Sequence, residues 1–211
     1  MNENNRKIFD EVYEKNKWKV FDSRSGVGSD FKYTAEIRER LPLIISHYGI
    51  KSIVDCGCGD LHWMSRIIDD MGIEYHGVDI ADVIVKENKA KYPGYHFYNL
   101  DVTEDRLPAC DMAIIKDVFI HLSLEDIVKA LDNIRQIGIR YLLASTYRNE
   151  KENIDKPTNH YARGINLEIA PFNMPEPILR IWEHYDRQPQ YYHSRFICLW
   201  DLQNGDNDEN A

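Results

Sequence analysis

Between residues 51 and 147 the chain alternates short apolar runs with amphipathic stretches. The runs are "SIVDCG", "EYHGVDI", "YHFYNLDV", the start of "CDMAIIKDVFIHL", and "RYLLASTY". Short continuous apolar runs bounded by turn residues read as buried strands, and nothing constrains a chain more than several of them in series. Between them, "LHWMSRIIDDMG", "ADVIVKENKAKYPG" and "SLEDIVKALDNIRQIG" read as helices, the first stopping at Gly72 and the last opening on Ser123 as N-cap. Alternation at this spacing predicts an α/β fold, a doubly wound and mostly parallel sheet with helices on both faces, joined by right-handed crossovers. Ligands of such sheets bind outside the carboxyl ends of the strands, so the residues closing each run carry the functional argument.

The chain has 211 residues, enough for one domain with its own core. Its net charge of -9 and pI near 5.4 disfavour a partner held mainly by phosphate backbone, and no nucleic-acid partner is expected. No run approaches the roughly 18 apolar residues of a membrane helix, and the polar start "MNENNRKIFDEVYEKNKWKV" has no secretory apolar core. The expectation is a cytoplasmic protein without membrane insertion. Cys56 and Cys58 are too close for the usual zinc pair, and no second Cys or His pair completes a site; they read as small residues in a tight turn, with no metal.

Three segments follow. Residues 1–50 form an N-terminal helical and lid segment: a weak helical period over 4–20, a Gly/Ser loop "DSRSGVGSD" at 22–30, then a helix with Thr34 as N-cap, Gly49 as stop and a kink at Pro42. Residues 51–203 form the core, with a polar, proline-rich insert at 147–177 whose Tyr161, Leu167 and Phe172 favour a docked loop. "ILRIWEHYD" and "SRFICLWDL" close it as a hairpin pair, the first fitting a short helix as well. The tail 204–211 reads as disordered.

The glycine loop "DCGCGDLHW" lacks the third glycine of a dinucleotide fingerprint, His62 standing there instead, which weakens a nicotinamide or flavin reading. Asp79 closes the second run, where a carboxylate accepts both hydroxyls of a ribose. Asp101 closes the third, where a carboxylate accepts from an adenine amino group while the Val102 N–H reaches a ring nitrogen. Lys116, Asp117 and His121 follow the fourth.

In this order of motifs, over about residues 34–146, the chain resembles the class I S-adenosylmethionine-dependent methyltransferases. The resemblance implies a Rossmann-like sheet of about seven strands with the last one antiparallel. It also implies S-adenosyl-L-methionine as cofactor, with Asp55, Gly57 and Gly59 at its methionine end, Asp79 and Ile80 at the ribose, and Asp101 and Val102 at the adenine. Leu61 and His62 depart from the family's glycine-richest loop. Ser29, with Ser25 and Gly28, offers lid donors over the cofactor. A second resemblance, in "SGVGSD", "NLEIAPFNMPEP" and "LWDL", is to small bacterial methyltransferases of surface-polysaccharide (capsule) pathways. It implies an oxygen acceptor on a small or glycan-linked molecule: a sugar hydroxyl, or a phosphoryl or phosphoramidate group.

His121 is the candidate base, or else a packing residue at a helix start. Asp117 contacts the cofactor or acceptor, or else favours a helix start. Tyr147, Arg148, His160, Tyr161, Arg163 and Asn166 are the acceptor-site candidates, the two arginines able to fork onto an anion. Trp18, Tyr33 and Trp63 line the cleft or belong to the core. The alternatives are a non-catalytic cofactor-binding module and a methyltransferase of nucleic acid or protein; the fourth run ends in "KDVF", not the "NPPY" type of amino methylation. A monomer or a homodimer fits either reading.

Overall fold

The computed structural model describes residues 3–18, 22–184, 186, 190 and 193–203. The tail 204–211 lies outside the described residues. Seven strands form one sheet: β1 Ser52–Cys56, β2 Glu74–Asp79, β3 His96–Asn99, β4 Met112–Ile115, β5 Tyr141–Tyr147, β6 Leu179–Trp182 and β7 Arg195–Asp201, in the order β3-β2-β1-β4-β5-β7-β6. β7 runs antiparallel to both neighbours and the other pairings are parallel. The order moves outward from β1 through β2 to β3, then resumes on the other side of β1 with β4. The carboxyl ends of β1 and β4 therefore flank the switch point where such sheets hold ligands.

The helices are α1 Glu3–Glu14, α2 Ala35–Tyr48, α3 Ile68–Met71, α4 Asp82–Lys91 and α5 Leu124–Ile137. Strand side chains alternate between two cores, one per face, as a period of two requires. Ile53, Met112 and Leu143 join Ile37 and Leu41 of α2. Val54, Ala113 and Leu142 join Ile127, Leu131 and Ile134 of α5. α1 packs on α4 at the edge, where Tyr13 meets Ile84. Ser123 caps α5 by accepting from the Asp126 N–H at 3.1 Å.

Three local expectations are corrected. The stretch 61–72 is not one helix: Leu61 is buried at a positive φ of 55°, a left-handed conformation that a right-handed helix cannot continue, so a 3₁₀ turn at Met64–Arg66 and the single turn of α3 follow. Thr34 does not cap α2 with its side chain; its hydroxyl donates to the Asp30 carbonyl at 3.0 Å. α2 contains Pro42, as expected. The third strand stops at Asn99, where the Asn99 side chain donates to the Asp79 and Ile80 carbonyls and turns the chain, so Asp101 sits in the following loop. Of the two readings for 178–186, the strand is found, because Leu179 and Ile181 share a face against the α2 side of the sheet.

Among the described residues, 148–178 contain no helix or strand. The insert is anchored by hydrogen bonds onto its own backbone groups. The Tyr147 N–H donates to the Ile165 carbonyl, and Asn153 accepts from the Asn166 N–H while donating to the Asn166 and Ala170 carbonyls. Leu167 and Met174 plug it into the α5-side core, whereas Tyr161 is 71% exposed.

Candidate functional site

A cavity of about 730 Å³ opens over the carboxyl ends of β1, β2, β4 and β5, within the size range of small-molecule sites. Its floor at one end is the turn after β1. The N–H groups of Gly57 and Cys58 both donate to the Val78 carbonyl, so the turn folds back onto β2. Gly57 has φ 76°, and a Cβ there would collide with Val118. The Gly59 N–H donates to Asp79 Oδ2 at 3.0 Å and the Ala81 N–H to Oδ1 at 2.9 Å. The Asp79 carboxylate thus ties the glycine turn to the start of α4, and each oxygen keeps a lone pair for a further donor. Asp55 accepts from the Tyr75 hydroxyl at 2.8 Å. Burial raises both carboxyls, Asp55 to about 7 and Asp79 to about 6, against hydrogen bonds that pull them down. Asp101 closes an Asx turn, accepting from Thr103 N–H and hydroxyl at 3.0 and 2.7 Å.

The other end holds a buried four-charge cluster. Asp117, at φ 61° just past β4, accepts from Lys116 Nζ and Arg195 Nη2 on the same oxygen, both at 2.6 Å. Arg195 Nε donates to Glu183 Oε2 at 2.8 Å, and Lys116 lies 3.3 Å from Glu183 Oε1. Glu183 and Arg195 come from the closing β6–β7 hairpin, so the chain's last elements brace the end of β4. Burial alone would raise the Asp117 carboxyl, but the two cations hold it well below the usual carboxylate range. His121 lies in the 3₁₀ turn Phe119–His121 and stacks on Trp18 at 5.3 Å. Burial lowers its imidazole to about 4, although the Asp117 charge and the Tyr161 carbonyl favour the protonated form.

The roof is α1, the 22–30 loop and part of the insert. Asp60 pins the loop: it accepts from Ser23 Oγ, the Arg24 N–H and Ser25 Oγ at 3.0, 2.8 and 2.9 Å. Further along, the Gly28 carbonyl accepts from Lys116 Nζ at 2.8 Å, and any Cβ on Gly28 would collide with the Asp117 carboxylate. Trp18 Nε1 donates to the His160 carbonyl at 3.1 Å, joining the N-terminal segment to the insert.

Asp55, Gly57, Asp79, Ile80, Asp101, Val102 and Ser29 all line this cavity, as do Asp117, His121, Tyr147, His160 and Tyr161. Trp18 and Trp63 line it too. Gly59 acts from behind, through Asp79. Three acceptor-site candidates are placed elsewhere. The Arg163 guanidinium donates to the Ile154, Ile120 and Leu122 carbonyls, clipping the insert to the His121 turn. Asn166 donates to the Arg148 and Glu150 carbonyls. Arg148 pairs with Glu168 at 3.0 Å. Short polar segments without a ladder must satisfy their own backbone, and these side chains do so. Tyr33 is buried away from the cavity, its hydroxyl donating to Asp186. Cys56 and Cys58 are buried thiols whose pKa values burial pushes well up. Tyr75, Asp60, Glu183 and Arg195 were not foreseen. An arginine inside the apolar strand "SRFICLW" was the available signal, because a buried guanidinium needs a carboxylate partner.

Residues 53–137 match the family model described as a methyltransferase domain. No curated protein matches the chain. Among solved structures, the magnesium protoporphyrin IX methyltransferase of Synechocystis PCC 6803, with bound S-adenosylhomocysteine, is similar at TM-score 0.62 and 15% identity, over 92% of this chain and 96% of that one. The 1,6-didemethyltoxoflavin-N1-methyltransferase of Burkholderia thailandensis is similar at 0.60 and 14%, over 92% and 85%. The methyltransferase domain of the bacterial protein CtHen1 is similar at 0.60 and 14%, over 81% and 100%. The fold is therefore the Rossmann-like methyltransferase fold: seven strands, the last in the chain antiparallel. The matched segment runs from β1 through α5 and carries Asp55, Asp79, Asp101, Asp117 and His121.

Proposed function

We propose that the chain is an S-adenosylmethionine-dependent methyltransferase that methylates an oxygen of a small or glycan-linked polar acceptor. The observation that carries the reading is the ring of buried carboxylates, Asp55, Asp79 and Asp101, around a glycine turn at the sheet's switch point. These residues fit the cofactor. Gly57 leaves room where a Cβ would not, and Asp79 keeps open lone pairs on both oxygens toward a diol. When bound, S-adenosylmethionine supplies a methyl group already activated on a sulfonium.

The chain's own residues then bind, orient and exclude water. Asp79 and the Ile80 backbone would hold the ribose, Asp101 and the Val102 N–H would hold the adenine, and Asp55 and Gly57 would border the methionine end. Ser29 and the rest of the 22–30 loop, with Trp18 locked to the His160 carbonyl, cover the chamber. Alignment of the acceptor in such a chamber supplies up to about 7–11 kcal/mol in favourable models. His121, neutral at pH 7, takes the hydroxyl proton, and the nearby Asp117 charge stabilises the imidazolium. Tyr147, His160 and Tyr161 border the acceptor end. The narrower assignment to capsule polysaccharide modification rests on the "SGVGSD" and "NLEIAPFNMPEP" resemblance.

Calorimetric titration with S-adenosylhomocysteine tests the cofactor reading. Wild type binds, and Asp79→Ala loses about one to two orders of magnitude in affinity, the worth of charge-assisted hydrogen bonds. No binding by the wild type defeats the reading.

A further inference from the structure

We propose that the acceptor end of the cavity takes an uncharged, hydroxyl-bearing ring, and not an anionic phosphoryl group. This rests on the methyltransferase reading above and narrows it.

The cations come first. A phosphoryl oxygen needs an arginine or lysine to place it. Among the described residues at this end, each basic side chain already has partners. Lys116 is bonded to the Gly28 carbonyl and Asp117 and lies beside Glu183. Arg195 is shared by Asp117 and Glu183. Arg163, the cation that suits a forked anion best by position in the insert, has its guanidinium on three backbone carbonyls. Lys15 and Lys17 at the mouth both pair with Glu11. To reach Lys116 or Arg195 an incoming anion would have to expel a buried carboxylate from its partners, a costly exchange in a low-dielectric site; Lys15 and Lys17 pair with the half-exposed Glu11 at the rim.

The unpaired atoms point the same way. Asp117 Oδ1 and His121 Nδ1 are buried and lack a hydrogen-bond partner. In a neutral ring protonated at Nε2, His121 Nδ1 is an acceptor. Both atoms therefore ask for a donor. A phosphoryl group brings acceptors and a second negative charge beside Asp117; a hydroxyl brings a proton. A protonated amine would be drawn to Asp117, yet it has no lone pair for the methyl group until it loses that proton. A neutral hydroxyl keeps its lone pairs. The two atoms are closed to solvent as the roof stands, with Trp18 stacked on the His121 ring, so the roof must open for a donor to reach them.

The walls suit a ring. Phe9, Trp18 and Tyr161 border this end with flat apolar faces, and Tyr161 is exposed at the rim. Such faces stack against the C–H side of a saturated ring while its hydroxyls turn to polar groups.

The test uses the full chain saturated with S-adenosylhomocysteine, so that cofactor binding is verified separately and its failure is read as failure of the methyltransferase reading. A mixture of neutral methyl pyranosides, and in a second sample inorganic phosphate at matched ionic strength, is titrated while the His121 imidazole resonances are followed by NMR. The pyranosides shift those signals and phosphate leaves them in place. His121→Phe, which keeps a ring against Trp18, weakens pyranoside binding about tenfold as seen by saturation transfer to the sugar protons, with S-adenosylhomocysteine binding retained. Shifts caused by phosphate alone, or by neither probe, overturn the proposal.

Discussion

Two aspartates at the same edge of the same sheet behave in opposite ways. Asp79 closes β2 and receives only backbone N–H groups; burial wins and its carboxyl rises to about 6. Asp117 follows β4 and receives Lys116 and Arg195; the cations win and its carboxyl falls. One end of the cavity thus keeps carboxylates whose charge is not matched, so that a ligand's hydroxyls or ammonium group relieve them. The other end has its charges matched from within by the closing hairpin, and only single atoms such as Asp117 Oδ1 are left for a neutral donor. Affinity for a cofactor belongs to the first arrangement, and rigidity to the second.

The largest effect comes from breaking the matched end. Arg195→Leu leaves Asp117 and Glu183 buried with only Lys116 between them, and urea unfolding is expected to show a loss of about 3–5 kcal/mol. Arg195→Leu combined with Glu183→Leu restores part of that loss, because the uncompensated charge goes with its partner. A single variant as stable as wild type would mean that the cluster does not hold Asp117.

The unmatched end is broken by Asp79→Asn, which lowers S-adenosylhomocysteine affinity by about one to two orders of magnitude in calorimetry. Its stability effect has a defined sign. Asp79 titrates at about 6 in the folded chain, above its ordinary 3.8, so the folded state holds that proton more tightly. This contribution is full below 3.8 and is lost as pH rises through 6. Relative to wild type, Asp79→Asn is therefore better tolerated at pH 8 than at pH 4. His121 contributes the opposite slope. Its folded value of about 4 lies below the ordinary 6.5, so stability is held above 6.5 and lost as pH falls toward 4. His121→Phe removes that acid loss, and chemical denaturation at pH 4, 6 and 8 resolves the two slopes. Parallel pH profiles for the two variants would break the comparison.

The mostly parallel sheet was legible from the alternation of apolar runs and helices, and the unmatched carboxylates from one local rule: an apolar run that ends in aspartate at the carboxyl edge of a parallel strand. Asp55 and Asp79 obey it, and Asp101 misses by a short turn that Asn99 makes. The matched end was not legible, because Glu183 and Arg195 meet Asp117 across β5 and β7, and no local pattern encodes that pairing. The insert misled for the converse reason. Arg163 and Asn166 have the composition of a binding loop, yet a segment with no ladder of its own draws its polar side chains onto its own carbonyls. The break at Leu61 was hidden in a sequence with helical period, because a buried left-handed leucine leaves no compositional mark.

The smallest effect asks whether the two ends act together. The 22–30 loop touches both: Ser25 Oγ donates to Asp60 Oδ1 and accepts from the Asp60 N–H, each at 2.9 Å, beside the glycine turn, while Gly28 lies on Lys116 and Asp117. Ser25 Oγ also fills the space that a side chain on Gly59 would need. Ser25→Ala removes one node of this strap, worth about 1 kcal/mol for a net hydrogen bond. Because the strap closes over the cofactor end, that loss is read as roughly a fivefold drop in S-adenosylhomocysteine affinity, carried by faster dissociation in stopped-flow exchange. The pH slope assigned to His121 should stay as in wild type, since Trp18 and not the loop stacks on that ring. A variant that binds as tightly as wild type would show that the Ser25 node is not needed to hold the loop, which Ser23 and Arg24 on Asp60 and Gly28 on Lys116 would then keep shut.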